Sequence, residues 1–446
     1  MRLIDNMLLI KADDKDNHEI LLNTLSGKIH ILTTFEADCI RKWKTNEPFV
    51  CENEDENNLV LELQENGYVM SITEEEELEK RIMSRCRERH SIILNENKFT
   101  VFVLTYMCNF ACPYCYESAP KCTNSSIMTE EMVDRIFDIN GGTLSQIALY
   151  GGEPFLPETR SIIEYIVSKA SNADFSVTTN GYYLLEFSDL LRKLNVQNVM
   201  VTLDGPEDLH NKTRKLKNGE GTYSKIMQGI RTCLMHSIPI KIRMNITPEN
   251  ISPCEQLRES LIKEFPTQFN KKILTFELQP IFQLSTENKD ELNERLIFNK
   301  MTDCGLPTKY NMISLTSSPV LRTFINNTRQ NFRHRYCHCD AEDRRRFYDS
   351  EGDIYSCILS LNNKAATVGT YYPECKFKGS SFLTRNIESI PQCKTCKLKF
   401  LCGGGCANAI LNTAGDVMKP NCQQILHEVY DELPKLFGKY TNSELI

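Results

Sequence analysis

Apolar and polar positions repeat with different periods along this chain, and the changes of period divide it. In the first 94 residues, short apolar stretches at Met7–Ile10 and Ile20–Leu22 read as strands. Leu25-Ser26-Gly27-Lys28 carries the glycine of a turn, and Ile29–Leu32 follows as another strand. Thr34-Phe35-Glu36-Ala37 opens a helix toward Trp43, with Thr34 as its N-cap. Leu59–Leu63 and Tyr68–Ile72 bracket Asn66-Gly67, which predicts a hairpin. A charged helix from about Glu74 to His90 closes a small α+β module resembling a winged helix.

From Phe99 the pattern becomes an alternation of strand and helix. The strands expected are Phe99–Leu104, Gln146–Tyr150, Phe175–Thr179, Asn198–Leu203, Ile240–Asn245 and Ile273–Leu278. Helical stretches between them include Met128–Ile139, Pro157–Ala170 and Thr222–His236. Strand-then-helix units predict a parallel α/β sheet, either open and doubly wound or curved into a partial barrel. In both, chemistry belongs at the C-terminal strand ends. Beyond about Ser317 the alternation stops and the chain becomes rich in Gly, Pro and Cys, with short strands such as Arg346–Tyr348 and Ile354–Ser356. That region holds too little apolar material for a conventional core, so metal is expected to hold it together. The reading is thus three domains: 1–94, 95–316 and 317–446.

Net charge is −7, which disfavours broad nucleic-acid or anionic-membrane binding. Arg344-Arg345-Arg346, set among Glu342, Asp343 and Asp349, reads as a solvated, salt-bridged face. No apolar run approaches membrane-spanning length and the first residues lack a signal-peptide core, so a cytosolic protein is expected. In a reducing compartment, 19 cysteines point to metal ligation or catalysis rather than disulfides. Their distribution agrees: a trio near position 110 and a dense run from Cys337 to Cys422. Cys39, Cys51, Cys86, Cys122, Cys233, Cys254 and Cys304 stand alone and read as small buried hydrophobes or idle thiols.

The trio is Cys108-x3-Cys112-x2-Cys115, directly after the first barrel strand. Three thiolates on one loop can hold three irons of a [4Fe–4S] cluster and leave the fourth without a protein ligand. Zinc would want a fourth ligand, and no His is near. After the second strand stands Tyr150-Gly151-Gly152-Glu153-Pro154, and after the third Thr178-Thr179-Asn180-Gly181. After the fourth come Thr202-Leu203-Asp204-Gly205-Pro206 and His210-Asn211-Lys212-Thr213-Arg214. In this order the motifs resemble the radical S-adenosylmethionine (SAM) superfamily, and specifically its SPASM-containing branch. The resemblance implies a partial (β/α)6 barrel in which SAM binds the open iron and is cleaved to a 5′-deoxyadenosyl radical. It also implies SAM contacts at Tyr114, Gly151, Gly152, Glu153, Thr179, Asn180, Thr202, Arg214 and Leu278. Asn211 stands where the family carries Asp. Asp204 is a candidate for contact with the substrate backbone.

Downstream, Cys393-x2-Cys396-x5-Cys402-x3-Cys406, with Cys422 beyond and Cys339-x12-Gly352-x4-Cys357 before, closely resembles the SPASM domain. That resemblance implies two auxiliary [4Fe–4S] clusters. The outer one takes Cys393, Cys396, Cys402 and Cys422; the inner one takes Cys339, Cys357 and Cys406. Cys337, Cys375 or an open iron that accepts a substrate thiolate completes the inner set. Related sulfatase maturases place an Asp base after the position of Cys357, whereas this chain has Ile358. The expectation is therefore a maturase of ribosomally made peptides that forms a thioether or other crosslink. Its leader would bind the N-terminal module, where Leu21–Gly27 resembles the opening strand and turn, and its electron donor would be flavodoxin- or ferredoxin-like. Formylglycine formation, epimerisation and a non-catalytic Fe–S or zinc scaffold are the competing readings.

Overall fold

The computed structural model describes residues 1–12, 18–45, 47–95, 99–115, 126–280, 333–339, 345–378 and 381–434. Cys122, Cys304 and the Glu342–Arg344 part of the basic run lie outside them. Two compact units form. Of the described residues, the first holds 1–95, 333–339 and 384–434, and the second holds 99–280 and 345–383.

The first unit is organised by a three-stranded antiparallel sheet, β1 (Met7–Lys11), β2 (Glu19–Asn23) and β3 (Ile29–Leu32), with β2 central. Helices α1 (Thr34–Thr45), α2 (Glu54–Glu65) and α3 (Ile72–Asn95) follow. Every residue of β2 is buried, because side chains alternate between two cores. Leu21 faces Leu3, Trp43, Leu63 and Tyr68. Ile20 and Leu22 face Leu398, Leu401, Ile425, Val429 and Leu433 from the end of the chain. Leu25, Ile82 and Cys86 likewise join Ile387, Ile390, Cys393 and Phe400. The C-terminal cysteine segment therefore has an apolar core, built jointly with the N-terminal sheet, which corrects the expectation that metal alone holds it. Each such side chain contributes roughly 1.5–3 kcal/mol before conformational entropy is set against it.

Two local expectations are also corrected. Leu59–Leu63 is helical, not a hairpin strand. Asn53 caps α2 by accepting Glu56 N at 2.8 Å, and Glu54, Asp55 and Glu56 place negative charge at the helix's positive end. Gly67, at φ +77°, supplies the left-handed residue that ends this helix. The N-cap of α1 is Thr33, not Thr34. Its hydroxyl accepts Glu36 N at 3.3 Å, while Glu36 accepts Thr33 N at 2.6 Å, a reciprocal capping box.

The second unit is one sheet of ten strands. Its parallel part runs β4 (Phe99–Val103), β5 (Gln146–Tyr150), β6 (Asp174–Thr179), β7 (Asn195–Thr202), β8 (Ile240–Ile246) and β9 (Leu274–Pro280). These match the six strands expected. The helices between them include α4 (Glu130–Ile139), α5 (Arg160–Lys169), α6 (Ser188–Leu191), α7 (Glu207–Thr213), α8 (Tyr223–Met235) and α9 (Ile251–Glu264). On the free side of β4 lies β10 (Arg345–Asp349), parallel to it with Phe347 opposite Val101. β11 (Asp353–Tyr355), β12 (Gly369–Thr370) and β13 (Lys376–Phe377) then add on antiparallel. This placement corrects the solvated reading for Arg346, which with Asp349 is buried in the sheet; of the two described arginines of the run, Arg345 is exposed. Among the described residues no helix is long and apolar enough to cross a membrane.

Candidate functional site

β4 hands the chain to a loop that crosses the C-terminal strand ends and carries Cys108, Cys112 and Cys115. Backbone bonds clamp the loop on both sides. Gly152 N donates to Thr105 O and Glu153 N to Met107 O, both at 2.8 Å. On the other side Ala111 N donates to Lys215 O at 3.0 Å and Lys217 N to Asn109 O at 3.1 Å. The paired glycines are required by the first of these contacts. A Cβ on Gly151 would lie 2.4 Å from Thr105 O, and one on Gly152 2.4 Å from Met107 O. Asn180 Nδ2 reaches Asn109 Oδ1 at 2.8 Å and Cys108 Sγ at 3.8 Å. Burial pushes the Cys108 thiol up to about 12, with the Glu153 charge adding, and it raises Cys112 as well. Such thiols become thiolates when a bound metal centre offsets the loss of water.

Glu153 lies beneath this loop, fully buried. It accepts Thr179 Oγ1 and Asn180 N at 2.6 Å and Phe155 N at 2.8 Å. Burial still raises it to about 7, against those three donors.

Tyr114, Asp204 and Arg214 form one network. The Tyr114 hydroxyl donates to Asp204 and accepts Arg214 Nη1 at 3.0 Å. Thr213 donates to the same Asp204 oxygen at 3.1 Å. His210 accepts Asp204 N at 3.4 Å and faces the Thr222 hydroxyl at 3.1 Å; burial, with Arg214 nearby, lowers it to about 3 and keeps it neutral. Asn211 accepts Thr222 N at 2.8 Å and Tyr223 N at 3.1 Å. An amide oxygen suffices for that task, which accounts for Asn where the family carries Asp. Three buried polar atoms here have no hydrogen-bond partner among the described residues: Asp204 Oδ1, Arg214 Nε and Asn109 Nδ2. The two donors beside three thiols suit a ligand's carboxylate, the Glu153 carboxylate beneath the loop suits its ammonium, and Asp204 Oδ1 stays open for a further donor. The residues present thus fit SAM on a three-thiolate cluster. Thr202 and Leu278 are buried at the ends of β7 and β9.

In the first unit, Cys393, Cys396, Cys402 and Cys422 converge. Burial raises Cys393 to about 11 and Cys402 to about 12, and charges on the other members of the quartet add to both shifts. Sequence reasoning missed what assembles them. The fully buried Arg385 donates to Gly404 O at 2.6 Å, Gly405 O and Val417 O at 2.7 Å, and Lys419 O at 3.2 Å. It thereby ties the glycine run after Cys402 to the segment leading into Cys422. The available signal was Gly403-Gly404-Gly405, where a Cβ on Gly405 would lie 2.0 Å from Asn421 O. Cys337 Sγ lies 3.6 Å from His90 Nδ1, Cys339 is exposed, and Cys406 Sγ accepts Ala409 N at 3.5 Å. Cys357 and Cys375 belong to the second unit, and no carboxylate follows Cys357. Of the lone cysteines, Cys39, Cys86, Cys233 and Cys254 are buried.

The radical SAM superfamily profile matches residues 102–261. A GTP 3′,8-cyclase of Alkaliphilus oremlandii is 27% identical over 46% of this chain and 67% of its own length. A serine-type anaerobic sulfatase-maturating enzyme of Bacteroides thetaiotaomicron is 30% identical over 30% of this chain and 35% of its own. Among solved structures, native anSMEcpe with bound AdoMet and Cp18Cys peptide aligns with a TM-score of 0.52 at 18% identity, over 77% of this chain and 99% of that one. That likeness is one of fold.

Proposed function

We propose that this chain, a radical SAM enzyme by the domain it carries over residues 102–261, modifies a ribosomally made peptide by forming a thioether or other side-chain crosslink. The observation that carries the reading is the N-terminal sheet. β2 is sealed on both faces, yet β1 and β3 pair with no further strand among the described residues. Such an edge can take an extended leader as an added strand, with backbone hydrogen bonds for affinity and alternate side chains for selectivity. Ile31 on β3 is 37% exposed, an apolar contact for that strand.

Cys108, Cys112 and Cys115 would hold the [4Fe–4S] cluster, and the residues around Glu153, Thr179, Asn180, Thr202, Arg214 and Leu278 would hold SAM. Together, with one electron from an external donor, the two would supply a 5′-deoxyadenosyl radical able to take hydrogen from an unactivated carbon. The chain contributes position and the exclusion of water. Glu153 offers a negative partner to the methionyl ammonium, and Arg214 offers a donor to its carboxylate. Asp204, fixed by Tyr114 and Thr213 through one oxygen, keeps the other for a peptide N–H. A SPASM-type domain would hold the outer auxiliary cluster on Cys393, Cys396, Cys402 and Cys422. For an inner one, the first unit offers Cys339 and Cys406, with Cys337 as a further ligand.

A sulfatase-type reaction is the second reading, favoured by the Bacteroides relative. It lacks the base expected after Cys357, where Ile358 stands. Anaerobic co-expression with short Cys-containing peptides encoded beside the gene, followed by tandem mass spectrometry, separates the two. Loss of a hydrogen pair with protected thiols and linked fragments is expected. A formylglycine mass on a sulfatase motif, or zinc without sulfide in the purified protein, overturns the proposal.

A further inference from the structure

The inner face of the sheet is divided. Toward β10 and β11 it is apolar, with Val101, Val103, Phe347 and Tyr355 packed together. On β8 and β9 it is polar. Along β8 the residues Ile240, Ile242, Met244 and Ile246 are buried, and Lys241, Arg243 and Asn245 alternate with them, each only partly buried. On β9, Phe276 lies under Arg258 of α9, so Glu277 faces the opposite side with Arg243. Arg243 Nε and Nη2 both bind Glu277 Oε1, at 3.1 and 2.7 Å, and Lys241 Nζ approaches Glu277 at 3.8 Å. Two cations thus share one carboxylate. Arg243 Nη1 and Lys241 Nζ make no hydrogen bond among the described residues. Arg243 is in register with Thr202, and two residues on, Asn245 Nδ2 lies 3.5 Å from the Tyr114 hydroxyl of the cysteine loop.

We infer that this Lys241–Arg243 pair seats a carboxylate of the substrate close to the residue being modified. The inference rests on the peptide-modifying reading above and names the substrate class within it: peptides with an Asp or Glu, or a C-terminal carboxylate, beside the reacting position. The net positive charge of the triad, the unused donors and their place one step below the cysteine loop all point to an anionic group. A guanidinium already aligned by Glu277 loses little freedom on accepting a second carboxylate in its plane.

The test uses the full-length, anaerobically reconstituted enzyme with SAM and four sets of N-acetylated ten-residue peptides, each with one Cys. The sets carry internal Glu with an amidated C-terminus, internal Gln amidated, internal Gln with a free C-terminus, and internal Lys amidated. Equilibrium dialysis with mass-spectrometric readout gives their relative binding. Internal Glu or the free terminus should bind about tenfold better than amidated Gln, and which of the two does so identifies the carboxylate's source. Arg243→Gln and Lys241→Gln should each bring that ratio toward one. Glu277→Gln should raise it, a gain that misfolding cannot produce. Equal binding of Glu and Gln sets by the native enzyme, or a ratio unchanged in Arg243→Gln and Lys241→Gln, overturns the inference. If no set binds while SAM is still cleaved, this assignment falls, whereas the peptide reading stands or falls with the leader-bearing co-expression described above.

Discussion

The cysteine trio on the barrel loop and the cysteine quartet of the first unit are assembled by the same device and finished differently. Both loops are pinned where a glycine lets one backbone lie on another: Gly152 against Met107 O, and Gly405 against Asn421 O. Around the trio, Asp204 Oδ1, Arg214 Nε and Asn109 Nδ2 are buried without partners among the described residues. Beside the quartet, the buried guanidinium of Arg385 is engaged by four backbone carbonyls. Buried polar atoms are normally satisfied, so unused ones mark a place for something that comes and goes. The first site is built for an exchangeable ligand, and the second to close on what it holds.

The largest test of that contrast is to empty each site separately. Cys112→Ala should abolish SAM cleavage, a fall of about a thousandfold or more, with loss of roughly four irons per chain. Cys402→Ala should lose a similar amount of iron and all peptide product, yet still cleave SAM. Quantifying 5′-deoxyadenosine and iron in both proteins checks this, and SAM cleavage that survives Cys112→Ala removes the assignment of the trio.

Arg385→Met comes next. Four carbonyls lose their donor, which should cost roughly 3–5 kcal/mol of stability and loosen the approach of Cys422. Outer-cluster iron should fall while 5′-deoxyadenosine formation persists, as read by Mössbauer spectra and denaturant unfolding. An unchanged iron spectrum would mean that Arg385 does not assemble the quartet.

The glycines give a smaller, paired effect. Gly152→Ala should slow SAM cleavage about tenfold to a hundredfold by displacing the loop ahead of Cys108, without touching the quartet. Gly405→Ala should do the converse. If either substitution affects both sites alike, the damage is global and the contrast fails.

How far this could be read from the chain follows the same division. The six parallel strands were legible because each is a compact apolar run bounded by turn residues, and every motif falls at a strand end. β10 was legible as a short strand at Arg346–Tyr348 but its place was not, since five residues carry no signal of which edge they will join. Leu59–Leu63 misled because Asn66-Gly67 serves equally as a hairpin turn and as a helix terminator; Asn53 with three acidic residues behind it was the better guide. The cysteines themselves were plain from spacing. Arg385 was invisible, because its partners are backbone carbonyls, and carbonyls leave no mark on sequence. Nor does composition reveal that Ile20 and Leu22 of the N-terminal sheet find their core among residues 398–433.

The smallest expected effect tests the exchangeable site through its pH dependence. Burial raises Glu153 to about 7 in the free protein, so below that pH it is protonated, and pairing with an ammonium requires the proton to leave. SAM affinity should therefore weaken by up to about tenfold per pH unit below 7 and level off above it. Stability without SAM should show the opposite trend. A carboxyl whose folded pKa is raised favours the fold fully below its unfolded value near 4.5, and that contribution fades as pH rises through 7. The span is about 3 kcal/mol at most. Calorimetric titration of SAM and thermal melts between pH 5 and 8 should thus slope in opposite directions, and Glu153→Gln should flatten both. A SAM affinity that does not change with pH would place the methionyl ammonium away from Glu153, and the barrel site would then need another anion to receive it.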